Sequence, residues 1–483
     1  MTSTDFILLL PFAILSVTAI VVLLAAAFCR HHTVIVVLTV MGIVAALLTL
    51  PWLVRLAPAQ VTALLTVDRY AVGWMAILGT ITLGVTLLAW DYWRLRNERA
   101  EEFYVLLVLA LLGAMILVAA NHFASFFLGL EILSVGLYAL IAYDRTRRFA
   151  LEAGLKYLVL AATSSSFLLF GMALLYAHVG RMDFVHVARA LSLDSDPRIL
   201  AITGLALLTV GIGFKLAIVP FHLWTPDIYQ GAPVPVTAFV ATASKVASFA
   251  VFLRLFRQLH PESGSPLLVL IAVVAVLSMF VGNLLALRQQ NVKRLLAYSS
   301  ISQLGYLLVA VLAGGQWADL AGFYFLAAYT VTTLAAFGIV ALLSPEDREA
   351  DRIADYRGLA WRRPWLAAVL TISMLSLAGI PFTAGFVGKL YLLGAGTADG
   401  LWWMVLSLVV SSTIGLYYYL RVVFVLFAAT ETVGEPIPST PRRRAWPSQL
   451  TIAVAGSLIV WLGIYPTPLI TFFQRTILQL GVR

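Results

Sequence analysis

The chain of 483 residues is 61% hydrophobic, only 11% Asp, Glu, Lys and Arg, and carries a formal net charge of +9. Soluble domains are about a quarter charged, so this composition excludes a water-soluble fold and leaves one integral membrane domain. The positive residues sit in short loops, where they orient a membrane protein rather than bind nucleic acid, and the single cysteine, Cys29, excludes an internal disulfide and any four-cysteine iron–sulfur or zinc site.

Fourteen apolar segments follow one another, each close to the ~20 residues that a helix needs to cross hydrocarbon. They cover residues 6–28, 33–54, 70–91, 103–120, 123–142, 153–178, 199–224, 235–257, 266–287, 293–313, 318–343, 364–392, 401–428 and 448–472. The first lacks a basic leader region and a small-residue cleavage site, and reads as a span rather than a signal peptide. The pattern predicts an all-α polytopic membrane fold.

Loop arginines give its orientation. With the N-terminus outside, the inner loops hold Arg30; Arg94, Arg96 and Arg99; Arg145, Arg147 and Arg148; Arg288, Lys293 and Arg294; Arg348, Arg352, Arg357, Arg362 and Arg363; and Arg442, Arg443 and Arg444. The opposite loops and the C-terminal tail hold about half as many, so both termini are expected on the outer face. The loop after the seventh span adds no positive charge to this pattern.

The seventh span carries "VPFH" with Lys215, and the twelfth carries "GIPFTAGFVGKLY" with Lys389. Both place a Pro-Phe pair and a lysine inside an apolar helix, five spans apart. A five-helix unit occurring twice, as spans four to eight (103–257) and nine to thirteen (266–428), would have its second copy inverted in the membrane. Residues 1–100 and 448–483 would then flank the repeats. Paired interrupted helices in inverted repeats point to a midplane ion site.

Lysine and arginine are used differently. Only five residues are lysine, namely Lys156, Lys215, Lys245, Lys293 and Lys389, against 27 arginines. Arginine stays charged, whereas a buried lysine is able to lose its proton near neutrality. Lys215, Lys245 and Lys389 fall well inside spans, where a charged group costs about 2.5–3.5 kcal/mol and marks ion or proton pathways. Lys156 and Lys293, in the first turns of their spans, either join such a pathway or serve as surface anchors.

Glu131 is the only acid deep in a span, and a lysine is its natural partner. His222, just after Pro220, is either structural or a proton carrier near neutral pH. The polar runs "TSSSF", "YSSISQLGY" and "YTVTT" read equally as a water wire or as interhelical hydrogen bonds. No Walker loop, dinucleotide fingerprint or spanning histidine pair is present, which argues against ATP-driven pumping, dinucleotide binding and haem.

Three stretches, "LGLEILSVGLYALIAY", "FKLAIVPFHLWTPDIYQGAPVPVTAFVATASKVASFA" and "NVKRLLAYSSISQLGYLLVA", resemble the N-type antiporter-like subunit of the proton-pumping NADH:quinone oxidoreductase, respiratory complex I. The likeness runs over about residues 100–430. It implies a fourteen-helix fold with two inverted five-helix repeats, interrupted helices seven and twelve, and a place in the bacterial plasma membrane. It also implies proton translocation coupled to quinone reduction elsewhere, with no cofactor in this chain and NAD, FMN, iron–sulfur clusters and quinone in partner subunits. The partners would be the neighbouring antiporter-like subunits and the small subunits of the quinone-proximal arm, set in membrane lipid.

Motif by motif, Glu131 takes the family's span-five carboxylate position, Lys215 its span-seven partner, Lys245 the central lysine and Lys389 the residue near the outer exit. His222, Lys156 and Lys293 match polar positions of the central axis. On this reading Gly211, Gly213 and Pro220 break the seventh helix around Lys215. The other candidate is a subunit of a multi-subunit Na+/H+ antiporter, which shares the lysine and helix-breaking motifs but moves cations without electron transfer.

Overall fold

A segment in hydrocarbon must satisfy its own backbone N–H and C=O groups, so apolar runs of this length wind into helices. A computed structural model describes residues 3–57, 59–96, 100–193, 199–259, 265–429 and 445–477, and these are helical almost throughout. Arg99, Arg442, Arg443 and Arg444, counted above among the inner-loop charges, lie outside the described residues.

Helices α1 (Ser3–Phe28) and α2 (His32–Leu56) lead into a short antiparallel hairpin, β1 (Ala59–Gln60) with β2 (Thr66–Val67). Then come α3 (Arg69–Arg96), α4 (Glu101–Ala119), α5 (Phe123–Ile141), α6 (Arg148–Val179), the short α7 (Phe184–Leu193), α8 (Ile199–Leu216) and α9 (Trp224–Gly231). The eighth span is one rod, Val234–Leu259, in which α10 (Val234–Phe239) passes through a π-helical turn at Val240–Ser244 into α11 (Lys245–Leu259). Next are α12 (Pro266–Leu287), α13 (Val292–Ala313), α14 (Gly315–Leu343), the single-turn α15 (Leu359–Arg362), α16 (Pro364–Ala378) and α17 (Ala384–Ala398). The described chain closes with α18 (Trp402–Phe427), α19 (Trp446–Ile464) and α20 (Thr467–Ile477).

Among the described residues thirteen helices are long and apolar enough to cross a membrane. The segment expected at 364–392 is the exception, because it is divided into α16 and α17 of 15 residues each. Either half alone reaches about 22 Å, short of the ~30 Å hydrocarbon core.

Both helices expected to be interrupted are interrupted, the seventh at Pro220 but not at its two glycines. Gly211 and Gly213 lie inside α8, which runs on to Leu216. They make room for neighbours instead: a Cβ on Gly211 would come within 2.6 Å of Leu168, and one on Gly213 within 2.8 Å of Phe221. The break starts at Ala217, whose φ of +60° is rarely adopted by a residue with a side chain, and includes the cis Val219–Pro220 peptide. In the twelfth span it lies at Gly379 (φ +86°) and Phe382 (φ +66°).

Several helix pairs approach closely enough to exclude side chains, among them α4 with α5 and α12 with α13. A Cβ on Gly113 of α4 would fall 2.5 Å from the Leu133 nitrogen of α5, and one on Gly129 would fall 2.8 Å from the Leu117 nitrogen. Between α12 and α13, Gly282 and Gly305 do the same against the nitrogens of Ser302 and Met279, at 2.7 and 2.8 Å.

Charged groups collect at the two ends of the bundle. At one end, Arg96 donates to the Pro345 carbonyl, Arg147 and Lys293 meet Glu349, and Lys156 and Arg294 meet Asp227. At the other, Arg254 grips Asp68 through two 2.8 Å bonds and Arg257 pairs with Asp319.

Candidate functional site

The last carbonyls of a helix have no partner within it, and the helix dipole makes that end negative. The two broken helices expose such ends in the middle of the bundle, and a buried lysine meets each. At the end of α16, Lys389 donates to the carbonyls of Leu377 (2.8 Å) and Ala378 (2.9 Å) and to Ser412 Oγ (2.8 Å). At the end of α8, Lys245 reaches the Leu216 carbonyl at 3.4 Å and donates to Ser300 Oγ at 2.7 Å. Lys245 follows directly on the π-helical turn, an irregularity common at functional sites.

Lys215, in the last turn of α8, donates to Ser134 Oγ of α5 at 2.6 Å and to the Tyr157 hydroxyl at 3.3 Å. Its amine also lies 5.4 Å from the centre of the Tyr157 ring, a cation–π contact. Lys245 is fully buried, and Lys215 and Lys389 are 3% and 6% exposed. All three amines rest on hydroxyls and carbonyls, and none forms an ion pair with a carboxylate among the described residues.

Glu131 is therefore near Lys215 without bonding it. Its carboxylate accepts from Ser165 Oγ of α6 at 2.5 Å, while Ser134, three residues further along α5, takes the amine. Glu131 is half-buried and lines a largely apolar cleft of about 610 Å3 with Phe127, Leu128, Leu169, Met172 and Tyr176.

A belt of hydroxyls lies between Lys245 and Lys389. Ser300 also bonds the Tyr329 hydroxyl (2.6 Å), Ser299 bonds Tyr419 (2.5 Å), and Gln303 donates both to Tyr419 (3.2 Å) and to the Leu377 carbonyl that Lys389 uses (3.0 Å). Much of "YSSISQLGY" and "YTVTT" is thus engaged in interhelical bonds. In "TSSSF", Thr163 and Ser166 bond back to their own helix, and Ser164 and Ser165 reach across to Gly211 and Glu131.

The remaining candidates separate. His222 is buried in the turn joining α8 to α9, and its Nδ1 has no hydrogen-bond partner among the described residues. Lys293 is fully buried, donating to the Ala232 carbonyl (2.6 Å) and to Glu349 (2.7 Å). Lys156 lies in the third turn of α6, which begins at Arg148; its side chain is 45% exposed and paired with Glu152 and Asp227 at the surface. The sequence reading had no signal for Glu349, Tyr157 or Ser134, which supply these contacts.

A family described as "NADH:quinone oxidoreductase/Mrp antiporter, TM" matches residues 120–415, more than half of the chain. The chain belongs to this family. All seven candidate residues, and Glu349, fall within the family segment.

Among relatives, the NADH-quinone oxidoreductase subunit N of Methylococcus capsulatus is 47% identical over 477 residues, covering 97% of this chain and 95% of the relative. That of Ectopseudomonas mendocina is 45% identical over 485 residues, covering 99% and 97%. Among solved structures, a chain of respiratory complex I from Thermus thermophilus with bound aureothin superposes with a TM-score of 0.81 at 32% identity, covering 95% of this chain and 98% of its own. A chain of an archaeal membrane-bound sulfane sulfur reductase gives 0.87 at 26% identity, covering 98% and 96%. A chain of the Mrp complex of Dietzia gives 0.83 at 21%, covering 99% and 97%, a likeness of fold alone.

Proposed function

We propose that this chain is the N-type proton-translocating membrane subunit of an NADH:quinone oxidoreductase. It would carry one proton route through the membrane arm while partner subunits holding NAD, FMN, iron–sulfur clusters and quinone carry the electrons. Relatives of that name, at 45–47% identity over nearly the whole chain, support this reading over a cation/proton antiporter subunit, although the family includes both.

The observation that carries the mechanism is that Lys215, Lys245 and Lys389 are buried on neutral acceptors. A fixed structural cation in low dielectric is held by a carboxylate, because an unpaired buried charge costs several kcal/mol, about 3–5 when one partner of a pair is missing. An amine on hydroxyls and carbonyls keeps hydrogen-bond partners whether or not it carries its extra proton. Glu131 lends Lys215 a favourable field from beyond bonding distance. When that charge is neutralised or moves away, the proton leaves Lys215 towards Lys245 and then passes along the Ser300, Gln303 and Tyr419 belt to Lys389 and out. His222 stands beside the break, and Lys293 and Lys156 lie on the supply side.

The close glycine crossings of α4 on α5 and of α12 on α13, five spans apart, support the inverted repeat within residues 103–257 and 266–428, as do the breaks after α8 and α16. The arginine-rich end is taken as cytoplasmic, with both termini outside a bacterial plasma membrane. The half-exposed Glu131 cleft supports a neighbouring membrane subunit over α5 and α6, since a carboxylate facing lipid would be costly.

Replacing Lys215 with Ala tests the reading: the complex should assemble and reduce quinone while moving fewer protons per quinone. Full stoichiometry in that variant would refute it.

A further inference from the structure

The loop 344–358 is one of the most highly charged stretches of the chain, yet one of its acids is not in solvent. Glu349 is 2% exposed and is bonded on both oxygens. Oε1 accepts from the Tyr92 hydroxyl of α3 (2.6 Å) and the Val234 nitrogen of α10 (3.2 Å), with an Arg147 guanidinium nitrogen at 3.0 Å. Oε2 faces Lys293 of α13 at 2.7 Å. The loop is fastened around this carboxyl: Arg96 donates to the Pro345 carbonyl (2.8 Å), Tyr356 to the Ala350 carbonyl (2.6 Å) and the Ile353 nitrogen to the Gln290 carbonyl (2.9 Å).

A charged cleft opens on one side of it. A cleft of about 380 Å3 is lined by Arg147, Arg348, Glu349, Asp351, Arg352 and Asp355. A second, of about 590 Å3, shares Arg147, Asp351 and Arg352 and continues to Gln230, Gln290 and Asn291. Glu349 therefore stands between an open, charged cleft and a fully buried amine, the one buried lysine of the candidate set that has a carboxylate partner among the described residues.

We propose that Glu349 is a proton-loading carboxylate, taking protons from the cleft and passing them to Lys293. This inference rests on the proton-route reading given above. In the step, a neutral Lys293 amine receives the proton held on the Glu349 carboxyl; the carboxyl O–H bond breaks, an N–H bond forms, and a carboxylate–ammonium pair remains. When Lys293 gives up its proton inward, the pair is dissolved and Glu349 keeps Arg147 as its nearest counter-charge, at 3.0 Å.

The electrostatics fit this alternation. Burial alone would push the Glu349 carboxyl up, but Lys293 and Arg147 hold it below its ordinary range. Removing the Lys293 charge withdraws the larger of those two influences, so affinity for a proton rises when the amine needs reloading. The charged and titratable groups facing Glu349 are Tyr92, with Arg96 stacked on its ring, from α3; Arg147 from the loop before α6; Lys293 from α13; and Arg348, Asp351, Arg352, Asp355 and Tyr356 from its own loop.

The test uses the whole complex reconstituted in sealed vesicles, with wild type, Glu349→Gln, Glu349→Asp and, as reference, Lys215→Ala. Protons moved per quinone reduced are measured between about pH 6 and pH 8, where changes in proton binding are read as changes in slope. Glu349→Gln should lose the same share of proton output as Lys215→Ala, and Glu349→Asp should recover most of it. Full output from Glu349→Gln beside a deficient Lys215→Ala overturns this inference and leaves the proton route standing. Equal loss in the Gln and Asp variants overturns it too, marking Glu349 as a structural latch. Full output from Lys215→Ala removes both. If Glu349→Gln does not assemble, Tyr92→Phe decides: losing one donor to the carboxylate should move the profile of proton output to higher pH, and an unmoved profile overturns the proposal.

Discussion

Lys389 donates to the Leu377 carbonyl at 2.8 Å, so its amine closes the open end of α16 instead of pairing with an acid. The same side chain is thus the C-cap of a half-helix and a candidate proton carrier. Lys389→Met should show both roles at once. The Leu377 carbonyl keeps Gln303 and the Ala378 carbonyl keeps Ser412, so losing the amine should cost about 1 kcal/mol per bond, seen as a lower Tm of the purified complex, together with reduced proton output. Gly379→Ala should perturb the same site without touching a charge. At φ +86° a Cβ is strained, and it would meet Lys389 Cδ at 2.9 Å.

Ser300 joins Lys245 to Tyr329, at 2.7 and 2.6 Å. Ser300→Ala leaves both without that partner in a dry setting. Proton transfer through the centre should slow by about tenfold, the effect of ~1.4 kcal/mol, with assembly intact. Time-resolved acidification of vesicles reports it, and an unchanged rate would show that the proton does not pass Ser300.

The glycine crossings should tolerate no side chain. Gly305→Val sets a branched group against the Met279 nitrogen and the Ala275 carbonyl, and Gly129→Val sets one against the Leu117 nitrogen. Each should cost about 1–3 kcal/mol as overpacking. The Gly129 variant should also slow pumping, because α5 carries Glu131 and Ser134. Thermal unfolding and proton output, measured on the same preparation, separate these effects.

Asp227 ties α9 to α6 and α13 through Lys156 (3.1 Å) and Arg294 (2.7 Å). Partial burial would raise its carboxyl, but Arg294 and Lys156 hold it below the usual aspartate range. A depressed carboxyl contributes stability above its unfolded value, about 3.9, and that contribution is lost as pH falls through the folded value. Protection from hydrogen exchange over 224–231, taken relative to the intrinsic rate at each pH, should therefore hold near neutrality and fall only in acid. Lys156→Ala, at an exposed position, should change proton output much less than Lys215→Ala.

The parts that sequence reading reached are those written in composition and in rare residues. Span lengths follow from hydrocarbon thickness, and Lys215, Lys245 and Lys389 stand out because an amine in an apolar run is costly. What it missed depends on contacts between distant segments. Glu349 sits in "SPEDREADRIADYRG", where alternating signs read as a solvated loop, and its partner Lys293 is 56 residues away. Lys156 falls in an apolar run, but α6 begins before residue 153 and turns it outward. Of the residues expected to break the seventh span, Pro220 lies in the break but Gly211 and Gly213 are helical, and nothing in the sequence marks Ala217 for a left-handed turn.

The most direct measurement is the number of protons moved per quinone reduced by the complex with Lys215→Arg. Guanidinium keeps the charge and cannot release its proton. The expected result is an assembled, quinone-reducing complex whose proton output is as low as that of Lys215→Ala. Wild-type output from Lys215→Arg would mean that a fixed positive charge suffices at this position, contradicting proton passage through the buried amine.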